Sequence, residues 1–552
     1  MKHHFTPTSL PIPSSRSYER GKFGRLFPWL PPCMNDSPRS RIDIFQIAES
    51  MYDGTNDDNN IPAGYTYLGQ FIIHDLSFDP TSMNERAFDP EYLWNFRTPA
   101  LDLDSLYGAG PTVQPYLYQE GSSGFASKFY LPSMVKNSSE DTSYQNLPRL
   151  GKIAVIADPR NDENIIISQL HAAFLRFHNA LVDKEKFKAN ASDSEANLFK
   201  KAQKIVRWSY QWIVLFDYLP RIIDINNWQG LDEYREEELS KLNAIELHQK
   251  KIQLIKDIIS SKAPKKYFDW RNEPFIPLEF SAAAFRFGHS QVKTTYLFNL
   301  DPSYQKLQEG VFQSLFATKT EQPFRVDMRL FFSNDIEERN VNHSIDTKIA
   351  MSLKNIPGRK SNDDSGRIAF LQLIKELKGL KKQLSRKVTP AETGQPIEQL
   401  LNSWLDELQN TDVKKFILDA SLRIQEDNVA ELNLARAILL GLPSGQDVAR
   451  AMGIKSPLTI ETDNFPNHLR DNTPLWYYIL YEAQTSTKGQ TLGPIGSQIV
   501  CEVLIGLILA DKSSFINQHP KWIPEDADGV EAPQFSMLDL LRIAGLVSSP
   551  TP

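Results

Sequence analysis

"YLGQFIIHDLSFDP", residues 67–80, is a mostly apolar run that carries Gln70, His74 and Asp75 at telling intervals. Gln70 and His74 are four apart, slightly more than one helical turn, so a helix through this stretch puts both on one face. Asp75 then points about 100° away from His74, toward a different neighbour. Two readings of His74 stand open. It is either a packing histidine with a hydrogen-bond partner or a group held over a reaction centre.

The 552-residue chain is 41% hydrophobic and 23% charged, an ordinary globular composition able to bury a large core. A formal charge of -7 with a pI near 5.9 argues against a general nucleic-acid or anionic-membrane surface. Cys33 and Cys501 cannot staple a protein of this size and fit reduced thiols in a cytosol-like compartment. The N-terminus has no apolar signal region, which predicts a cytoplasmic protein or one exported without a classical signal peptide. The longest apolar run, "IVCEVLIGLILA" (499–510), contains Glu502 and is too short to span a bilayer. It reads as a buried helix, and no membrane span is expected.

Residues 1–60 are rich in Pro, Ser and Asp and read as an extended arm on a larger body, residues 61–552. That body is mainly α, a single large helical domain with few short strands. "IIISQLHAAFLRFHNALV" puts Ile166, Leu170, Ala173, Phe174, Phe177 and Leu181 on one stripe. Residues 198–219 form a second, aromatic helical pattern, and the alanines of 281–289 suggest a third helix, buried. Residues 366–385 read as a surface helix with a lysine face. The polar stretch from about 300 to 400 reads as a peripheral insertion. "KIAVIAD" (152–158) and "TTYLFNL" (294–300) are strand candidates.

Few residues carry candidate chemistry. His171 and His178, seven apart beside the apolar stripe, read as hydrogen-bonded packing histidines. His289 ends the alanine-rich helix after Gly288, where a missing side chain lets a large flat group approach the backbone. No His or Cys lies near His74 or His289 at zinc-ligand spacing. In "IADPRNDENIIIS", Asp162 and Glu163 suit a helix start, which leaves Arg160 unexplained. In "RTPALDLDSLYG" (97–108), Thr98, Asp102 and Asp104 offer oxygens at even spacing, with the Ala100 carbonyl between them. Alternating hard oxygens suit Ca²⁺, although Asp-rich turns also arise for local reasons.

Taken in order, these stretches resemble the animal-type haem peroxidases, the peroxidase–cyclooxygenase superfamily; the lack of the disulfides usual in the family's secreted members leads us to expect a microbial member. "GQFIIHD" is similar to that family's distal helix. "RNDE", the histidine eleven residues beyond Arg160 and "RFHN" resemble the catalytic-arginine stretch. "AAAFRFGHS" resembles the proximal-histidine stretch, and "ELNLARAILLGLP" (431–443) the segment that carries its asparagine partner.

The resemblance implies haem b, with His289 as axial iron ligand, Asn433 accepting a hydrogen bond from its other ring nitrogen, and Arg286 facing a propionate or a neighbouring carboxylate. It implies that His74, Gln70 and Arg160 act on hydrogen peroxide, His74 as base and then acid, through an oxyferryl state. It also implies that Asp75 joins Thr98, Ala100, Asp102 and Asp104 around Ca²⁺. The expected partners are hydrogen peroxide and small reductants. No oligomeric state follows from the sequence.

One departure from the family's mammalian pattern stands out. Two ester bonds hold the haem there, one to an aspartate directly before the distal histidine; here that position is Ile73. Glu163 matches the second ester position, and Asn164 after it excludes a sulfonium link through methionine. At most one covalent ester, through Glu163, is expected, with oxidation of bromide, iodide, thiocyanate or phenols ahead of chloride. Two alternatives are carried. One is a fatty-acid dioxygenase of the same fold, whose relay tyrosine three residues before the proximal histidine is Arg286 here. The other is a non-catalytic haem-binding or adhesion module.

Overall fold

The computed structural model describes residues 21–547 apart from 53–56, 79–93, 120–125, 134, 137–142, 145, 189–193, 225–241, 261–266, 270–273, 301–325, 338, 355–427 and 464. The expected surface helix at 366–385 and most of the expected insertion lie outside the described residues. The protein is mainly α-helical, as the apolar periodicities require. Its principal helices are α1 (Pro38–Met51), α2 (Gly64–Leu76), α3 (Ile165–Lys188), α4 (Glu195–Ile213), α5 (Ala244–Ser260), α6 (Val429–Leu439), α7 (Leu475–Ser486) and α8 (Pro494–Ala510).

Short strands join segments of the described chain that lie far apart in sequence. Gly21–Gly24 pairs antiparallel with Trp94–Asn95 and parallel with Ile276–Pro277, and Asp58–Pro62 pairs antiparallel with Val341–His343. Within the segment read as an extended arm, Ser37 caps α1, with Pro38 opening it, and α1 packs on α6. The strand expected at 152–158 shrinks to Ile153–Ala154, half of a two-residue hairpin, and 294–300 carries no strand ladder.

α2 and α3 pack together at the centre of the molecule. Their apolar faces meet at Phe71 and Phe174, whose rings stack at 4.8 Å, and each ring is fully buried. Burying a side chain of this kind contributes roughly 1.5–3 kcal/mol. Tyr65 at the start of α2 donates to the buried carboxylate of Asp217 at 2.8 Å. Asp217 sits in a single π-helical turn, Val214–Tyr218, that continues α4. The Arg221 guanidinium and the Met537 amide donate to the same carboxylate, which fixes the height of α2.

The alanine-rich segment differs most from its expected form. It breaks into Leu278–Ser281, a 3₁₀ turn Ala284–Arg286 and Gly288–Gln291. The break is held from both sides: Arg286 Nε donates back to the Ser281 carbonyl at 2.9 Å, and Trp476 Nε1 on α7 donates to the Arg286 carbonyl at 3.1 Å. Alanine propensity alone favours a continuous helix, and these tertiary bonds override it.

Candidate functional site

A cavity of about 430 Å³ opens between α2, the broken alanine-rich segment and α6, within the size range of cofactor and ligand pockets. Gln70, Ile73, His74, Arg160, Glu163, Arg286, His289 and Asn433 all line it. Residues far apart in the chain therefore meet at one place. Asp75 and the 98–104 loop lie behind the α2 wall instead.

The C-terminal carbonyls of α2 need donors, and they receive an unusual set. Arg160 donates to the His74 carbonyl at 2.7 Å and to the Ser77 carbonyl at 2.7 Å. Arg97 Nε donates to the same His74 carbonyl at 3.2 Å, and Asn95 Nδ2 to that of Leu76 at 2.9 Å. Asp158 caps the 3₁₀ turn Pro159–Asp162 and binds the guanidinium groups of both Arg160 and Arg97. Burial opposes ionisation of Asp158, but the two adjacent cations outweigh it and hold the carboxyl well below the usual range. Arg160 thus spends most of its five N–H groups on Asp158 and on α2, and its plane lies over the Phe78 ring at 4.3 Å.

His74 is 7% exposed. Burial, reinforced by the Arg160 charge, lowers its pKa to about 3, so the imidazole is neutral at ordinary pH. Its Nδ1 lies 2.9 Å from Asn161 Oδ1. Asn161 Nδ2 in turn lies 3.0 Å from Nδ1 of His171. Gln70 Nε2 donates to Glu163 at 3.3 Å, and Gln70 Oε1 accepts from Asn164 Nδ2 at 3.0 Å. Asn164 also caps the start of α3 through the Ile167 amide, so the polar side of α2 is locked to the α3 entry.

Across the cavity lining, His289 Nδ1 lies 2.6 Å from the Asn433 amide nitrogen, and Asn433 Oδ1 accepts from Arg436 Nη1 at 2.6 Å. This amide orientation differs from the expected one, in which the asparagine carbonyl accepts from Nδ1–H. Use of His289 Nε2 as a metal ligand requires the Asn433 amide to turn over in place. A Cβ at Gly288 would meet only the Thr66 methyl at 3.6 Å. The protein itself does not demand glycine there, and space remains for a guest.

The expected calcium residues are gathered behind α2. Asp75 is fully buried and accepts from the Leu103 amide at 3.0 Å and the Ser105 amide at 3.2 Å. Leu103 adopts φ 59° to present its amide. Burial, with Asp102 and Asp104 nearby, raises Asp75 to about 8. Burial, opposed by Arg97 and reinforced by Asp102, raises Asp104 to about 7. Thr98 Oγ1 donates to Asp102 at 3.0 Å, and Ala100 is half-buried in the same loop. Asp104 Oδ2 is buried with no hydrogen-bond partner, an acceptor awaiting a donor or cation. Among the described residues, no three acidic, His or Cys side chains converge as a ready metal cage.

Sequence reasoning missed Arg97, Asp158 and Asn161, all buried, and Tyr218, which lines the cavity from the π-helical turn. Asn161 stood inside the quoted "RNDE" and Asp158 just before it. Asn161 meets His74 87 residues away and Asp158 meets Arg97 61 residues away, pairings beyond any local pattern.

The family model for animal haem peroxidase matches residues 80–364, just over half of the chain. Thyroid peroxidase of Mus musculus is 26% identical over 222 residues, covering 38% of this chain and 20% of the relative. The Homo sapiens protein is 26% identical over 236 residues, covering 40% and 22%. This chain therefore matches only about a fifth of those relatives' length. Among solved structures, Peroxidase A from Dictyostelium discoideum aligns over 96% of this chain and 94% of its own, with TM-score 0.53 and 13% identity. Fatty acid alpha-dioxygenase of Arabidopsis thaliana aligns over 95% and 80%, with TM-score 0.55 and 13% identity. Similarity at that level concerns the fold.

Proposed function

Because the chain belongs to the animal haem peroxidase family, we propose that it is a haem-dependent peroxidase that reduces hydrogen peroxide and oxidises small organic donors or the anions bromide, iodide and thiocyanate. The observation that carries this reading is the meeting of His74, Arg160 and His289 on one cavity, with each imidazole held at Nδ1 by an asparagine.

Haem, when bound, supplies the iron and the oxidising chemistry. His289 Nε2 would hold the iron, with Asn433 behind it after its amide turns, and Arg286 and Arg436 would face the carboxylate edge of the ring. His74, neutral and with Nε2 toward the pocket, takes the proton of hydrogen peroxide and returns it to the departing oxygen. Arg160 keeps a permanent positive charge at the mouth of that step, and Asp158 fixes its position. Gln70 holds Glu163 in place on the pocket wall, where that carboxylate is the candidate for a single ester. Ile73 lines the same wall and can form none. Fewer links than in the two-ester enzymes would leave the iron less oxidising and so disfavour chloride. Expression with haem, a Soret absorbance and turnover of a phenol with hydrogen peroxide test the reading; absence of the Soret band would exclude it.

We propose further that Asp75, Thr98, Ala100, Asp102 and Asp104 take up Ca²⁺, supported by the unsatisfied Asp104 oxygen and by the repulsion that Asp102 and Asp104 exert on the buried Asp75 carboxyl. Binding would require Asp75 to exchange its amide partners.

One observation favours a second reading, a fatty-acid dioxygenase. Tyr218 stands on the cavity wall, with its hydroxyl 2.6 Å from where a Cβ on Gly69 would sit. Oxygen uptake with linoleate in the absence of peroxide, abolished in Tyr218→Phe, would establish it. Among the described residues no helix is long and apolar enough to cross a membrane.

A further inference from the structure

We propose that Asn161 selects which ring nitrogen of His74 is free to accept a proton, and that His171 holds the Asn161 amide in the working orientation. The inference rests on the reading of His74 as the pocket's base, and it adds two residues to that base.

The three side chains form a continuous buried chain. His74 is 7% exposed, whereas Asn161 and His171 are fully buried. Asn161 Oδ1 faces His74 Nδ1 at 2.9 Å, and Asn161 Nδ2 faces His171 Nδ1 at 3.0 Å. An amide carbonyl only accepts and an amide nitrogen only donates. In this orientation His74 therefore carries its proton on Nδ1 and leaves Nε2 bare toward the cavity, while His171 carries its proton on Nε2. Turning the amide over reverses both rings: His74 becomes protonated on Nε2 and can take nothing from the pocket.

The alternatives are not equivalent once His74 takes up a proton. The imidazolium donates from both nitrogens, so its Nδ1–H needs an acceptor. Only the carbonyl-inward orientation provides one; the reversed orientation would set an N–H against an N–H inside a dry site. The amide nitrogen then needs an acceptor of its own, and His171 Nδ1 is the group that meets it. His171 Nε2 has no partner and packs in an apolar setting near Phe71, which leaves its Nδ1 contact with Asn161 as its polar anchor. Burial keeps His171 neutral, with its pKa lowered to about 3, so it remains an acceptor.

Cyanide association with the haem-loaded full chain tests this without turnover. Cyanide arrives as HCN and binds as the anion, so its proton must pass to a base in the pocket. Association is followed by the Soret shift in Asn161→Leu, Asn161→Asp, His171→Phe and His74→Ala. Asn161→Leu should bind on the order of tenfold more slowly, or worse. Asn161→Asp, which keeps an acceptor for Nδ1–H, should recover most of the rate and move the acid limb of its pH profile upward. His171→Phe should fall between parent and Asn161→Leu, and it decides the matter should Asn161→Leu fail to bind haem. Parent rates in Asn161→Leu or His171→Phe, with His74→Ala slow, would overturn the role of Asn161 and leave His74 as the base. A parent rate in His74→Ala would instead overturn the underlying reading.

Discussion

The Arg160 guanidinium donates to the main-chain carbonyl of His74 at 2.7 Å, so the charge beside the cavity is fastened to the residue whose side chain faces it. Asp158 completes the arrangement by binding Arg160 and the fully buried Arg97 together. Replacing Asp158 with Asn removes the anion that Arg160 and Arg97 share and leaves the buried Arg97 with Asp104 alone, at 3.3 Å. We expect a loss of about 3–5 kcal/mol in unfolding free energy, read by urea denaturation, together with slower reaction with peroxide. A variant as stable as the parent would show that Asp104 suffices for Arg97 and solvent for the partly exposed Arg160.

The lowered pKa of His74 sets a pH profile. A base must be neutral to act, and burial with Arg160 nearby moves its protonation from 6.5 down to about 3. The rate constant for reaction with hydrogen peroxide should therefore stay level from pH 8 to about 5, falling only as the pH approaches 3. Stopped-flow absorbance across this range checks it. An inflection near 6.5 would mean that the imidazole titrates as if exposed.

Calcium should act on stability. If Ca²⁺ binds the native Asp75, Asp102 and Asp104 cluster, free ion at a hundred times its dissociation constant adds about 2.7 kcal/mol. The melting temperature should rise with added Ca²⁺, fall with a chelator, and lose both responses in Asp104→Asn. Identical melting with ion and with chelator would show that the amides of Leu103 and Ser105 satisfy Asp75 by themselves.

The proposed ester through Glu163 can be read chemically. After turnover with peroxide, a fraction of the haem should resist extraction into acidified organic solvent and migrate with the peptide bearing Glu163. Glu163→Gln should release all of it. Complete release from the parent would remove the ester.

What could be read from the sequence was what local geometry controls. The four-residue interval from Gln70 to His74 and the stripe from Ile166 to Leu181 require no partner to be recognised, and α2 and α3 follow them. The break at 282–287 was not legible, because it depends on Trp476 and Ser281 bonding to Arg286. The same limit applied at the site. His74, Arg160, His289 and Asn433 entered through ordered resemblance. Asn161, Arg97 and Asp158 act through bonds across long loops, and neither charge nor periodicity announces those. Asn433 shows the converse: its pairing with His289 was expected, yet Arg436 turns its carbonyl the other way.

We propose His74 as the proton acceptor for peroxide in a pocket that binds haem. Single-mixing stopped-flow absorbance of the haem-loaded His74→Ala protein with hydrogen peroxide tests it most directly. The resting Soret band should be unchanged and the reaction slowed on the order of a hundredfold or more; reaction at the parent rate would remove His74 from that role.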